Sequence, residues 1–110
     1  MITLDRKKET IAYFTKLTKI KKIKEEEVLL QSFVHKSYAM DYSEEIPHNE
    51  RLEFLGDAIL DTIIAKQLFD DFPEYTEAKL TLYKIALVRE ETLALVAKEI
   101  NLGEHILISK

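Results

Sequence analysis

The sequence predicts an all-α fold, and three observations indicate it. Apolar residues recur at helical spacing along most of the chain. Only two glycines and two prolines occur among 110 residues, whereas sandwiches and barrels of β-strands need many more for their turns. Hydrophobic residues make up 46% of the chain and charged residues 33%, which is enough apolar material for a core. We therefore expect one helical domain over residues 1–110.

Several classes of protein are excluded by what the sequence lacks. The absence of cysteine excludes a disulfide framework, a thiolate zinc site and a cysteine nucleophile. No apolar run approaches the roughly 20 residues that a membrane span needs. The basic N-terminus has no apolar stretch of the kind found in secretory signals. We expect a cytoplasmic protein that does not contact membranes.

The first two helices are predicted from apolar spacing and charge. Ile11, Phe14 and Leu17 form a helical stripe, which predicts a first helix over about residues 5–18. Residues 17–24 have no clear period and are interpreted as a basic connector. The acidic run 25–27 suits the positive end of a second helix, which we expect to end near Tyr38. Residues 41–48 are predicted to form a loop.

Three further helices follow the loop. We expect the third helix over about residues 49–69, closed by the segment 70–73. Thr76 is a plausible N-cap for a fourth helix over about residues 77–87. The fifth helix is expected over about residues 90–100, and residues 101–103 are expected to stop it, with Gly103 supplying the left-handed residue past its end.

The third helix has an unusual acidic stripe. At 100° per residue, four carboxylates share an arc of about 80°, and they are Glu50, Glu53, Asp57 and Asp61. Like charges four residues apart repel, so a bound divalent cation is a natural source of compensation. Two readings remain open, namely a metal-binding face and a solvated face that meets basic residues. Gly56 favours close approach of a ligand or another backbone, although tight helix packing explains it equally well.

The charge of the chain is distributed unevenly. Residues 1–24 carry a net charge of +6, whereas residues 25–110 carry −10. The basic connector could therefore meet the phosphates of a nucleic acid, or it could simply be solvated. The lysines concerned are Lys19, Lys21, Lys22 and Lys24.

Residues 48–60, with the sequence HNERLEFLGDAIL, closely resemble the signature helix of the ribonuclease III family. The segment 35–39 resembles the His-basic-Ser segment that precedes the signature in this family. Downstream matches at residues 80–81, 87–88, 92–94, 97 and 102–104 extend the resemblance over about residues 10–108.

The resemblance implies the helical fold of a ribonuclease III nuclease domain and a homodimer that cleaves double-stranded RNA. It implies Mg²⁺ as the cofactor, with Mn²⁺ as an alternative ion. By resemblance, Glu53 and Asp57 are catalytic residues and metal ligands, and Glu50 and Glu77 are supporting acids. Phe54 corresponds to a residue that packs into a cavity of the partner subunit, and a phenylalanine beside carboxylates is hard to bury within one monomer.

The sequence also departs from the family. Members continue beyond the position of Lys110 into a helix with an Asp-x-x-Glu pair that completes the metal centre, and most bacterial members add a double-stranded RNA-binding domain. Val34 and Ile85 stand where the family often has threonine and alanine. We expect a nuclease domain truncated before its last helices and inactive or weakly active alone. The alternative is a naturally short, non-catalytic module for RNA binding or dimerisation. The intact acidic stripe favours the fragment of a nuclease.

Overall fold

The computed structural model describes residues 2–42 and 45–109. Within these residues the chain forms six α-helices and one short 3₁₀ helix, and its only β-pairing is a single isolated bridge. The α-helices are α1 (Leu4–Thr18), α2 (Glu26–Ser32), α3 (Lys36–Met40), α4 (Glu50–Asp71), α5 (Glu77–Val88) and α6 (Glu90–Glu99), and the 3₁₀ helix is Leu102–Glu104. The predicted all-α class is confirmed.

Helix α1 and the connector after it agree with the sequence prediction. Thr3 caps α1, because its side-chain oxygen accepts a hydrogen bond from the amide of Arg6 at 3.1 Å. The helix ends at Thr18, and Lys19 adopts the left-handed conformation with φ 63°. Residues 19–25 are irregular, as the lack of apolar period predicts.

The second predicted helix is wrong as a single element. The chain forms α2 and α3, separated by residues 33–35, which we call the elbow. Val34 in the elbow pairs with Leu107 as an isolated parallel bridge, and two 2.8 Å hydrogen bonds flank this pair. A β-branched residue suits this extended conformation, and pairing with a segment distant in sequence overrides local helical spacing.

The later helices lie close to their predicted bounds. Helix α4 begins one residue after the expected start and continues through Asp71, and Thr76 caps α5 by accepting from the amide of Lys79 at 3.2 Å. Helices α4 and α5 pack as a hairpin. The chain between them contributes an aromatic cluster, in which Phe72 stacks on Tyr75 at 4.6 Å between centroids and both rings meet Tyr83 edge-on.

The last long helix ends just before residues 101–103, as predicted, but the left-handed residue of this stop was misassigned. Asn101 adopts the left-handed conformation with φ 59°, whereas Gly103 lies in the 3₁₀ helix and has no positive φ. Asparagine tolerates this conformation better than most residues, so the turn forms two residues earlier than predicted. The predicted loop over residues 41–48 is irregular where it is described, and its Ser43 lies outside the described residues.

The described chain is open and buries little apolar surface. Its radius of gyration is 16.6 Å, compared with about 13 Å for a compact domain of this length. The buried apolar side chains are Phe33, Val34, Ala39 and Leu68. The apolar stripe of α4 at Leu55, Ile59 and Ile63 remains at least half exposed. In the described ranges, no helix combines the length and apolarity that crossing a membrane requires.

Candidate functional site

The acidic face of α4 is the feature of the described chain with the clearest chemical character. Glu50, Glu53 and Asp57 are exposed on successive turns, and Asp61 is half-buried. Residues three or four apart on a helix have Cβ atoms about 5–6 Å apart. Glu53 and Asp57 can therefore bring carboxylate oxygens to one ion from adjacent turns.

A basic residue meets this face at its beginning. The Lys36 ammonium lies 3.7 Å from a carboxylate oxygen of Glu50, and both side chains are more than half exposed. Exposed pairs of this kind contribute little to stability because water screens them. Lys36 lies in the first turn of α3, so the ion pair marks where α3 comes close to the acidic face.

The start of α4 is fixed to the end of α2 and to the elbow by three hydrogen bonds. The side-chain amide of Gln31 donates to the carbonyl of His48 at 2.9 Å. The side-chain amide of Asn49 donates to the carbonyl of Ser32 at 2.9 Å, and its backbone amide donates to the carbonyl of Val34 at 2.8 Å. Sequence reasoning found neither donor, because Asn49 was interpreted only as a helix start.

Phe54 stands next to Glu53 with 82% of its surface exposed. The described residues thus leave this ring without a covering contact, which agrees with the expectation that one monomer cannot bury it. A shallow cleft runs beside it and is lined by Gln31, Glu50, Arg51, Leu52, Phe54 and Leu55.

The structure does not bring Glu77 to the other carboxylates. Glu77 lies in the first turn of α5, close to the end of α4 at Asp71. Glu53 lies about 27 Å from Asp71 along the axis of α4, so Glu77 is at the opposite end of the helix from Glu53. Within residues 2–42 and 45–109 there is no group of three or more His, Cys, Asp or Glu side chains that could hold a metal ion. The pair Glu53 and Asp57 nevertheless fits Mg²⁺, which is commonly held by one or two carboxylates together with waters and substrate phosphates.

The remaining sequence-predicted positions have clear local settings. The connector lysines Lys19, Lys21, Lys22 and Lys24 are exposed. Gly56 has open space around the position that a Cβ would occupy, so the described chain makes no close approach there. The close contact that the glycine suggested is therefore not made by the described residues.

A second polar network joins α3 to the end of the chain. The Nδ1 atom of His35 accepts from the amide of Ser37 at 3.1 Å and lies 2.7 Å from its hydroxyl. The Ser37 hydroxyl also accepts from the amide of Ser109 at 3.0 Å, and the Ser109 hydroxyl donates to Asp41 at 2.9 Å. These groups cap α3 and tie it to the C-terminal segment, which is a structural role.

Tyr38 and Tyr42 of the same region hydrogen-bond to each other at 2.9 Å. The hydrogen bond from Tyr42 raises the pKa of the Tyr38 phenol above its ordinary value, and partial desolvation adds to this effect. The Tyr38 phenol therefore stays neutral at physiological pH, and the two rings pack against each other with centroids 5.0 Å apart.

Comparison with known proteins gives the same family over most of the chain. The model of the ribonuclease-III-like family matches residues 25–110. Ribonuclease 3 of Enterococcus faecalis is 45% identical over 84 residues, and ribonuclease 3 of Natranaerobius thermophilus is 40% identical over 86 residues. These alignments cover 76% and 78% of this chain but only 36% and 37% of the two relatives. The chain thus spans little more than a third of their length.

A solved structure shows the same fold. The nuclease domain of ribonuclease III from Campylobacter jejuni superposes with a TM-score of 0.69 at 33% identity. The match covers 97% of this chain and 66% of that chain. That nuclease domain is described as flexible in a region involved in dimer formation.

Proposed function

This chain belongs to the ribonuclease-III-like family, and we propose that the acidic face of α4 serves Mg²⁺-dependent cleavage of double-stranded RNA. The observation that carries the proposal is the placement of Glu53 and Asp57 on adjacent turns, exposed and unobstructed by the described chain. Relatives named ribonuclease 3 support it.

In this proposal Glu53 and Asp57 would hold the metal ion, and Glu50 would be a supporting acid beside them. Glu77, expected from the resemblance as a second supporting acid, lies too far from this pair to act within one monomer of the described structure. Mg²⁺, or Mn²⁺ in its place, supplies a bound water of lowered pKa and compensates charge on the phosphate oxygens. The carboxylates of Glu53 and Asp57 would supply oxygen ligands to such an ion, which is the ligand type that Mg²⁺ prefers. Lys36 compensates part of the negative charge at Glu50, which reduces repulsion at the start of the face.

The substrate is proposed to be recognised by the shape of the A-form duplex and by its phosphates and 2′-hydroxyls. The exposed connector supplies cations for phosphate contacts, and its residues are Lys19, Lys21, Lys22 and Lys24. Phe54 is proposed to insert into a second copy of the chain, because its exposed ring is the kind of side chain that interfaces bury. The active protein is then a homodimer, which we propose acts in the cytoplasm.

The test is cleavage of labelled duplex RNA with the protein in excess, with and without millimolar Mg²⁺. We expect slow, Mg²⁺-dependent products from the wild type and none from Asp57→Asn. Asp61→Asn is the matched control, because Asp61 lies on the same face but is not a proposed ligand. Equal cleavage by the wild type and Asp57→Asn would contradict the proposal.

The second candidate function is RNA binding without cleavage, and the exposed basic connector is the observation in its favour. This function requires duplex binding that needs no Mg²⁺ and survives Asp57→Asn. Replacing the four connector lysines by glutamine should then weaken binding and flatten its dependence on salt, because fewer counterions are released. The cleavage assay separates the two candidates when bound and cut RNA are measured in the same samples.

A further inference from the structure

Asn49 occupies the N-cap position of α4 without capping it. An asparagine at this position ordinarily accepts a hydrogen bond from an amide of the first turn, but Asn49 makes no such bond. Its side-chain amide instead donates to the carbonyl of Ser32 in α2. The backbone amide of Glu50 donates to the Nδ1 atom of His48 at a long distance of 3.4 Å. The Asn49 side chain thus fixes the position of α4 against α2 and does not cap the helix.

Gln31 holds the same helix start from the α2 side. Its side-chain amide donates to the carbonyl of His48, directly before Asn49. The backbone of Asn49 is held by the carbonyl of Val34, whose side chain is only 1% exposed. The one acceptor in the elbow therefore belongs to the best-buried part of the described chain.

Beyond its start, α4 is held mainly by its packing against α5. Leu68 is its one buried residue among those described, and it lies about 22 Å from Glu53 along the helix axis. The acidic face itself is exposed. A change of tilt at the helix start would therefore move Glu53 and Asp57 relative to α2 and the elbow. A misplacement of about 1 Å is costly for a metal or catalytic site.

We propose that Asn49 and Gln31 are positioning residues, whose side chains act on the metal-binding pair Glu53 and Asp57 by fixing the start of α4 to the end of α2. The inference rests on the proposed function of that pair. Neither residue is a proposed ligand, so each would affect how tightly the metal ion binds and where it lies. The chemistry of the ligands themselves is unchanged.

The experiment titrates Mn²⁺ into the full chain and follows paramagnetic broadening of the amide resonances of Glu53 and Asp57. Asn49→Ser keeps a good capping residue but is too short to reach the carbonyl of Ser32. Gln31→Met keeps length and removes the donor to His48. In each variant we expect the Mn²⁺ concentration for half-broadening to rise roughly 10-fold, as is typical when the support of a ligand is lost.

Thr3→Ala is the control for a general loss of stability, because it removes the cap of α1 at the hydrogen bond with Arg6. It should lower the melting temperature and leave the Mn²⁺ titration unchanged. Mn²⁺ affinity equal to wild type in both Asn49→Ser and Gln31→Met would overturn the inference while the proposed function stands. A wild type without broadening that depends on Asp57 would overturn the proposed function, and the inference with it.

Discussion

At the scale of single residues, two exposed phenylalanines of α4 differ in their surroundings. Phe54 is 82% exposed beside the acidic face, and Phe69 is 69% exposed near the other end of the helix. Because Phe54 buries little within the monomer, Phe54→Ala should change the free energy of unfolding by less than about 0.5 kcal/mol. It should weaken the proposed dimer by roughly 2 kcal/mol, as loss of a central aromatic contact does.

Sedimentation equilibrium of the wild type, Phe54→Ala and Phe69→Ala checks this prediction. Only Phe54→Ala should shift the mass towards the monomer at tens of micromolar protein. A wild type that is already monomeric there, or an equal shift in Phe69→Ala, would argue against an interface at Phe54.

The residues of the candidate site could be predicted from the sequence only in part. The helical period alone places Glu50, Glu53 and Asp57 on one face, whereas their site roles were predicted only by the resemblance to the ribonuclease III family. Gln31 and Asn49 were not predicted, because their side-chain amides donate to backbone carbonyls between α2 and the start of α4. Residue spacing in the sequence does not indicate such a contact. Asn49 even carries a misleading local signal, since its residue type and position are those of an ordinary N-cap.

At the scale of the helices, capping residues and apolar period gave the bounds of α1, α4, α5 and α6 within about two residues. The break between α2 and α3 was missed because its cause is not local. Val34 is extended by pairing with Leu107, more than 70 residues away in the chain. The left-handed turn after α6 was misassigned for a related reason, because asparagine and glycine compete for such positions and Asn101 comes first.

The middle of α4 permits a direct test of what surrounds it. Gly56 has no neighbour within 4 Å of a built Cβ and no positive φ, so the described chain gives no steric reason for glycine there. Gly56→Ala should therefore stabilise the monomer by about 1 kcal/mol through helix propensity. Thermal unfolding at low protein concentration, where association is negligible, measures this as an increase in melting temperature of roughly 5 °C.

The same variant distinguishes the monomer from an assembly. A lower melting temperature at low concentration would show that a neighbour within the chain is closer than the structure has it. If the increase seen at low concentration disappears at high concentration, a second molecule packs against Gly56.

At the scale of the whole molecule, the basic and the acidic residues are concentrated in different parts of the chain. The basic connector lies in the N-terminal quarter, whereas the acidic face belongs to the longest helix. The sequence predicted this asymmetry, because it requires only counting. It did not predict how open the described chain is, since hydrophobic content alone does not say which apolar faces find partners.

That openness leads to a prediction about association. Leu55, Ile59 and Ile63 follow each other at four-residue spacing along α4 and are 56%, 50% and 58% exposed. A helix in a globular domain ordinarily buries such a stripe, and exposed apolar patches promote association. We expect the chain to bind an apolar dye, and we expect Phe54→Ala to associate through this stripe at concentrations above the tens of micromolar at which the proposed Phe54 interface is tested.

The double variant Ile59→Lys and Ile63→Lys should reduce both dye fluorescence and light scattering, because it places two like charges in the stripe. It should cost the monomer little stability, since each side chain is at least half exposed. The double variant Leu4→Lys and Leu17→Lys is the matched control, because it adds the same two charges at leucines of α1 that are 66% and 44% exposed. If the two double variants lower scattering equally, association is a general effect of added charge and the stripe of α4 has no special part in it.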